Sequence, residues 1–90
     1  MHTEWDDAKA AVNLRKHGVS FFEAATVFDD PTAVTAYDPA HSAGEDRFLT
    51  AGVSSRGRLL IIWHTDRGEA IRIIGARRAT SNERRNHRDA

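Results

Sequence analysis

The 90-residue chain has 40% apolar and 29% charged residues, which suffices for one compact domain with a modest core and is too little for two. Cysteine is absent, which excludes a disulfide framework and a thiolate metal site. No apolar run approaches the roughly 18 residues of a membrane span, and the amino terminus lacks a signal-peptide pattern. We therefore expect a cytoplasmic protein.

Charge is unevenly distributed along the chain, although the formal net charge is zero. Residues 1–46 hold three basic residues against nine acids, a balance of −6, whereas residues 47–90 hold ten arginines against four acids, a balance of +6. The rigid guanidinium fork suits bidentate contacts to phosphate or carboxylate. The C-terminal half therefore favours a polyanionic partner, with the alternative that its arginines are solvated or paired with the acidic half.

The first third of the chain predicts two helices. Residues 6–17 combine good helix formers with acids at the start and bases at the end, and Gly18 follows as a stop. Ser20 and Glu23 have capping-box spacing, which predicts a second helix over about 21–29. Lys16 and His17 should then lie at the C-terminal end of the first helix.

The rest of the chain predicts a sheet and a final helix. Short runs of branched and aromatic residues between turn residues predict strands at about 33–37, 45–53, 58–65 and 69–78, with 2–5 as a candidate edge strand. Thr80 and Glu83 repeat the capping-box spacing. The order predicts an α+β fold, in which two N-terminal helices pack on a curved antiparallel sheet of about four strands, with a short C-terminal helix. The other sheet face should be open.

Strand alternation predicts which side chains share that open face. In the last strand it places Arg72 with Arg78, opposite the core candidates Ile71 and Ile73. Extended to the other strands, it predicts a working face made of Arg47, Arg58, His64, Arg72 and Arg78 or Arg77, with Glu45 as the carboxylate. RNA cleavage without a metal requires a base, an acid and fixed cations, which these residue types can supply.

Each of these residues also has a purely structural interpretation. His17 suits a helix C-terminus, His64 suits a half-buried strand position, and Glu45 with Arg47 could form a cross-strand ion pair. Arg84, with its neighbours, could be an exposed helix face. The histidines lack the spacing of a helical zinc site, so we predict neither a metal nor another cofactor. Trp5 and Trp63 are predicted to be core or interface residues without a base-stacking role.

Four stretches of the sequence, at 4–28, 38–60, 64–80 and 83–85, match a known pattern in order and spacing. The most specific parts are KHGV at 16–19 and RIIGARRA at 72–79. Together they resemble the BrnT family of type II toxins over almost the whole chain. The resemblance implies one RelE-like toxin domain over 1–90, a ribonuclease that blocks translation, and neutralisation by a BrnA antitoxin of the ribbon-helix-helix class. That antitoxin would form a hetero-oligomer with the toxin and make its DNA contacts.

The resemblance also implies which residues act. Our hypothesis assigns catalysis to Lys16, His17, Glu45, Arg72 and Arg77, and RNA binding to Arg47, Arg58, His64, Arg78 and Arg84. In it Lys16, Arg72 and Arg77 or Arg78 bind and stabilise the scissile phosphate, and His17 and Glu45 share the acid and base roles. Asp46 stands where the family commonly has Glu, which keeps the charge on a shorter side chain. The competing hypothesis is a non-catalytic RelE-fold binding module, either a toxin with a protein target or a co-repressor acting with its antitoxin.

Overall fold

A computed structural model describes residues 2–89. The elements in chain order are β1 (His2–Glu4), α1 (Asp7–His17), α2 (Phe21–Thr26), β2 (Val34–Tyr37), β3 (Phe48–Val53), β4 (Leu59–Arg67), β5 (Ala70–Arg78) and α3 (Ser81–Asp89). Short 3-10 turns occupy Val27–Asp29 and Pro39–His41. None of these helices is long and apolar enough to cross a membrane.

The strands form one five-stranded sheet in the order β1-β5-β4-β3-β2. Neighbours from β2 to β5 are antiparallel, but β1 pairs in parallel with the first residues of β5, from His2 opposite Ala70 to Glu4 opposite Arg72. The α+β class is confirmed, whereas the wholly antiparallel sheet of about four strands is wrong. The candidate edge strand at 2–5 is confirmed as β1, but its parallel pairing with β5 was not predicted, because three residues carry no signal for a pairing direction. The RelE-like label stays a prediction.

Local hydrogen bonds define the two ends of α1. The Asp6 carboxylate accepts the amides of Ala8 at 2.8 Å and Lys9 at 3.1 Å, as expected for an N-cap. At the other end Gly18 has φ +69° and donates its N–H to the carbonyl of Leu14. A left-handed residue at this position favours glycine, and it turns the chain directly after the helix.

The two predicted capping boxes differ in how completely they form. In α3 both halves are present: Thr80 Oγ1 accepts the Glu83 amide at 3.1 Å, and Glu83 accepts the Thr80 amide at 2.8 Å. In α2 the Ser20 hydroxyl accepts the Glu23 amide at 3.0 Å, but the Glu23 carboxylate is bonded to Arg58 instead of returning to the cap. The capping box of α2 is therefore only half formed, because an ion pair with Arg58, the residue before β4, competes for the Glu23 carboxylate.

The core lies between α2 and one face of the sheet, which we call the helix face. Four residues from Val19 to Val27 pack against four from β4 and β5, and the buried set is Val19, Phe21, Ala24, Val27, Leu60, Ile62, Ile73 and Ala76. Burying each large apolar side chain contributes roughly 1.5–3 kcal/mol. The opposite side of the sheet is called the open face below.

Asn13 attaches α1 to the edge of the sheet. Its Nδ2 donates to the carbonyls of Val19 and Ala76, both at 2.9 Å, and its Oδ1 accepts the Ala76 amide at 3.1 Å. β1 pairs with β5 only as far as Arg72, so the backbone of Ala76 would otherwise be unpaired at the edge. One buried amide thus replaces a neighbouring strand, and α1 runs along β5.

A β-bulge divides β5 into two halves. Trp63 lies opposite Gly75, but the next residue, His64, lies opposite Ile73, which leaves Ile74 as an extra residue. An extra residue reverses the alternation of side chains beyond it. Arg72 and Arg77 therefore share the open face, since they lie opposite Thr65 and Ile61 of β4. The predicted pairing of Arg72 with Arg78 on one face is wrong, because simple alternation cannot detect the bulge.

His64 belongs to the helix face together with Leu60 and Ile62, so the predicted working face that included it is also wrong. Its ring packs between Phe28 and Phe48, and its Nε2 lies 2.7 Å from Thr50 Oγ1. Burial lowers the pKa of His64 below its ordinary value. The histidine is thus held neutral in the core and is not presented to a ligand.

Replacement of His64 by glutamine should flatten the dependence of stability on acid pH. Because the pKa of His64 is lower in the folded chain, the unfolded chain binds the proton at a higher pH. The contribution of neutral His64 to the free energy of unfolding is therefore complete above about pH 6.5 and is lost as the pH falls through the folded pKa. Denaturation between pH 7 and pH 5 should show a steeper loss in the wild type than in His64→Gln. The exposed-histidine variant His2→Gln should keep the wild-type slope. Equal slopes for wild type and His64→Gln would contradict the neutral buried state.

Replacement of Asn13 by alanine should lower the free energy of unfolding by about 2–4 kcal/mol, because buried backbone groups of Ala76 and Val19 lose their partners. Chemical denaturation measures the change. Asn82→Ala, at an exposed position of α3, is the matched control and should stay within about 0.5 kcal/mol of the wild type. If both variants lose the same small amount, Asn13 does not anchor α1.

Candidate functional site

The open face is only partly open. Glu83, Asn86 and His87 of α3 line an open cavity of about 320 Å³ together with Val34, Ala51 and Ile61 of the sheet. The prediction of a face left wholly free of helices is therefore wrong. The part of the face beyond α3 carries Trp63 and Thr65 of β4 and Arg72, Gly75 and Arg77 of β5.

Arg77 is held by α3 and by the sheet at the same time. Its Nη1 and Nη2 donate to the two carboxylate oxygens of Glu83 at 2.7 and 3.0 Å, and its guanidinium carbon lies 5.3 Å from the centre of the Trp63 ring. The bond to Arg77 lowers the pKa of Glu83 to about 2. Arg77 is therefore a neutralised and tightly oriented cation, as in a bidentate pair.

Arg72 occupies the other half of the same strand face. Its Nη1 donates to Glu4 at 2.8 Å, and both side chains remain about one-third exposed. Directly across the sheet lies Thr65, whose buried hydroxyl has no hydrogen-bond partner among residues 2–89. Only one nitrogen of the Arg72 fork is used within the described chain, so the others are available to an anion.

A groove of about 360 Å³ runs beside α1. Lys9, Lys16 and His17 line it together with Ile74, the extra residue of the bulge, and with Ala8, Val12 and Asn13. Lys16 and His17 are exposed, and neither forms an ion pair or side-chain hydrogen bond within the described part of the chain. They are a cation and a titratable ring side by side at a groove wall.

Contacts along α1 show which of these groups lie beside each other along the direction of β5. Glu4 meets Arg72 just before the helix begins, Asn13 meets Ala76, and the carbonyl of Gly18 accepts from Arg58, which directly precedes β4. The helix therefore runs beside β5 in the same direction. Its last turn, with Lys16 and His17, lies near the end of β5 that carries Arg77, and Arg72 lies about 16 Å away near the start of the helix.

Glu45 is not brought to this end of the site. It precedes β3 and accepts from Nε of Arg67 at 3.0 Å, and Arg67 is the last residue of β4. The end of α1 is attached to Arg58, at the opposite end of that nine-residue strand. The structure thus separates Glu45 from His17, although the sequence hypothesis gave them a shared acid-base role.

The predicted RNA-binding arginines fall into separate places. Arg58 donates to Glu23 through Nε at 2.9 Å and through a shorter bond from Nη2, and this contact lowers the pKa of the buried carboxyl. Arg58, Arg78 and Arg84 line a cavity of about 200 Å³ that shares no lining residue with the groove, although Arg58 also donates to the carbonyl of Gly18 at the end of α1. Arg47 directly precedes β3 and is partly exposed. Arg78 lies opposite Leu60 on the helix face and Arg72 lies opposite Thr65 on the open face, so these two arginines do not share a surface.

Ion pairs cancel much of the charge asymmetry seen in the sequence. Within residues 2–89, at least five of the ten arginines that follow residue 46 pair with carboxylates, namely Arg56, Arg58, Arg67, Arg72 and Arg77. Four of them pair with Glu4, Glu23 or Glu45 of the acidic half. The alternative that the two halves neutralise each other is confirmed for these residues.

Sequence reasoning missed Trp63 and Glu83 as members of the site. The signal for Glu83 was its capping-box position, which indicates a helix start but not an arginine partner. Trp63 follows a run of apolar residues and looks like a core residue by composition. Among residues 2–89 no group of three or more histidine or acidic side chains is arranged to hold a metal ion.

Comparisons with known proteins identify the family. A family model described as "Ribonuclease toxin, BrnT, of type II toxin-antitoxin system" matches residues 5–83. The 1.1 Å crystal structure of the Brucella abortus ribonuclease toxin BrnT has the same fold, with a TM-score of 0.71 and 22% identity over 90% of this chain and 100% of that chain. No match to this chain was found among curated proteins. The family model spans most of the sequence, and this chain therefore belongs to the BrnT family of ribonuclease toxins of type II toxin-antitoxin systems.

Proposed function

We propose that this chain is an endoribonuclease that cleaves RNA without a metal ion, at the end of the groove formed by α1 and Ile74. The observation that carries the proposal is the pair Lys16 and His17, which are exposed, line the same groove and have no partner in the described chain. Unpaired groups of this kind are free to act on a substrate, whereas Arg58 and Arg77 are committed to carboxylates.

The chemistry requires only groups that the groove provides. His17 accepts the proton of the 2′-hydroxyl as that oxygen bonds to phosphorus, and the bond from phosphorus to the 5′-oxygen breaks. The Lys16 ammonium gives a proton to the leaving 5′-oxygen, and its charge stabilises the negative phosphorane before that transfer. The products are a 2′,3′-cyclic phosphate and a free 5′-hydroxyl.

Arg72 contributes to RNA binding beside Glu4, just before the start of α1. Its single bond to Glu4 leaves part of the guanidinium fork free, and its position near the start of α1, with Lys16 at the other end, suits contact with a neighbouring stretch of the RNA backbone. It therefore contributes to substrate binding more than to bond breaking. Glu45 receives no role in proton transfer, because its ion pair with Arg67 lies at the far end of β4.

The family match further supports a cellular setting for this activity. A type II toxin has a protein antitoxin, for which we propose a BrnA-type ribbon-helix-helix protein that forms a hetero-oligomer with this chain and alone contacts DNA. An acidic antitoxin segment over Lys16 and His17 would both neutralise charge and exclude RNA. Cleavage of RNA in the cytoplasm would then inhibit translation whenever the antitoxin is lost.

Loss of either groove residue should abolish most cleavage. We expect His17→Ala and Lys16→Ala each to slow the cutting of RNA by about 100-fold or more, since a positioned acid or base contributes at least that much. Arg72→Gln should mainly raise KM. The measurement is cleavage of single-stranded RNA by the purified, antitoxin-free protein in EDTA, which also tests metal independence.

Two variants outside the groove provide matched controls. Arg15→Ala changes a neighbouring base on α1, and His41→Ala removes a loop histidine that pairs with Asp38. Both should cut RNA at the wild-type rate. If the Lys16 and His17 variants did the same, the site would be wrong. If the wild type cut neither free RNA nor mRNA on translating ribosomes, a non-catalytic binding module would replace the ribonuclease.

A further inference from the structure

Arg77 has fewer free donors for a phosphate than Arg72, although the sequence hypothesis gave both of them that role. A phosphate is recognised by the N–H donors at the edge of a guanidinium. In Arg77 both terminal nitrogens donate to Glu83, and Nη1 also donates to the carbonyl of Arg78. Three of the five guanidinium N–H groups are thus used within the described chain, which leaves Nε, one N–H of Nη2 and the flat face of the guanidinium to a ligand, and 31% of the side chain is exposed.

The flat face of Arg77 is supported from within the sheet. Its guanidinium lies over the Trp63 ring, and Trp63 is itself partly exposed. Gly75 lies directly across from Trp63, so no side chain from β5 rises beside the ring at that point. We call this cation–π pair, with the guanidinium carbon 5.3 Å from the ring centre, the Trp63–Arg77 stack; Glu83 from α3 holds its arginine.

The stack lies at the same level along β5 as the last turn of α1. Ala76, the residue before Arg77, is bonded to Asn13, and Lys16 and His17 follow one helical turn later. A nucleotide whose phosphate reaches those two side chains would therefore have its base near the stack. Bases in single-stranded RNA are commonly held by stacking on aromatic rings and on arginine planes.

We propose that the Trp63–Arg77 stack is a binding platform for one unpaired RNA base, which stacks on the exposed face of the Arg77 guanidinium. The inference rests on the proposed function, because it assumes that the groove binds RNA. It identifies the substrate class as single-stranded RNA and gives Arg77 a positioning role next to the cleaved bond. Glu83 takes part by holding the guanidinium plane in place.

Three variants separate this platform from a phosphate-binding cation. Arg77→Lys keeps the charge but loses the plane, whereas Arg77→Gln keeps a planar group and loses the charge. A platform predicts that the lysine variant binds RNA no better than the glutamine variant, each about tenfold more weakly than the wild type. A phosphate contact predicts the reverse order. Arg56→Lys, in an exposed turn, is the matched control and should bind as the wild type does.

The experiment uses a 2′-O-methyl single-stranded oligoribonucleotide, which lacks the attacking hydroxyl and is not cleaved. Binding is followed by Trp63 fluorescence in a Trp5→Phe background and by the anisotropy of the labelled oligonucleotide, at several salt concentrations. We expect quenching of Trp63, and an Arg77→Lys affinity loss with an unchanged slope of log affinity against log salt. Loss of one phosphate contact would flatten that slope by about 0.7. Circular dichroism restricts the comparison to variants that keep α3.

Each outcome decides the proposal. A wild-type affinity in Arg77→Lys, a flatter salt slope in the glutamine variant than in the lysine variant, or equal quenching by duplex RNA would overturn the platform. Absence of binding by the unaltered protein would overturn it as well. Quenching with the expected variant order, together with no cleavage in the ribonuclease assay, would support the platform and refute the catalytic proposal, so the two failures are distinguishable.

Discussion

The bond between Asn13 and the edge of β5 is the interaction on which the rest of the structure depends. β1 covers only the first three residues of β5, and beyond them the edge needs another partner for its amides and carbonyls. Asn13 supplies both a donor and an acceptor to Ala76 and a further donor to Val19. Because a single side chain satisfies all three groups, α1 is held at one level along β5, and the groove with Lys16 and His17 has a defined wall.

The bulge at Ile74 determines which side chains of β5 lie near that groove. Without the extra residue, Arg72 and Arg77 would point to opposite sides of the sheet. With it they share the open face with Trp63, while Ile74 itself turns toward α1. Bulges occur often beside functional sites because one residue can redirect the side chains that follow it. In this chain the bulge both lines the groove and places two arginines on the same side as the tryptophan.

Several charged side chains of this fold form ion pairs that join its elements, and the remaining ones are available to bind a ligand. Glu23 and Arg58 join α2 to β4 in the core region, and Glu83 and Arg77 join α3 to β5. These pairs leave Lys16 and His17 as exposed titratable groups with no described partner, and Arg72 as an arginine with spare donors. The contrast between committed and uncommitted charges identifies a site more sharply than the number of basic residues does.

The sequence by itself determined the helices, the three long strands, their capping residues and the family, because each depends on local periodicity, on short-range spacing or on matching motifs. The helix end before Gly18 located Lys16 and His17, and the family resemblance supplied their proposed role. Only the tertiary structure decided that His64 is buried, that Arg58 and Arg77 are paired, that Glu45 lies far from His17 and that Trp63 supports Arg77. Those facts depend on strand register, on one bulge and on long-range ion pairs, none of which leaves a signal in a single strand's alternation.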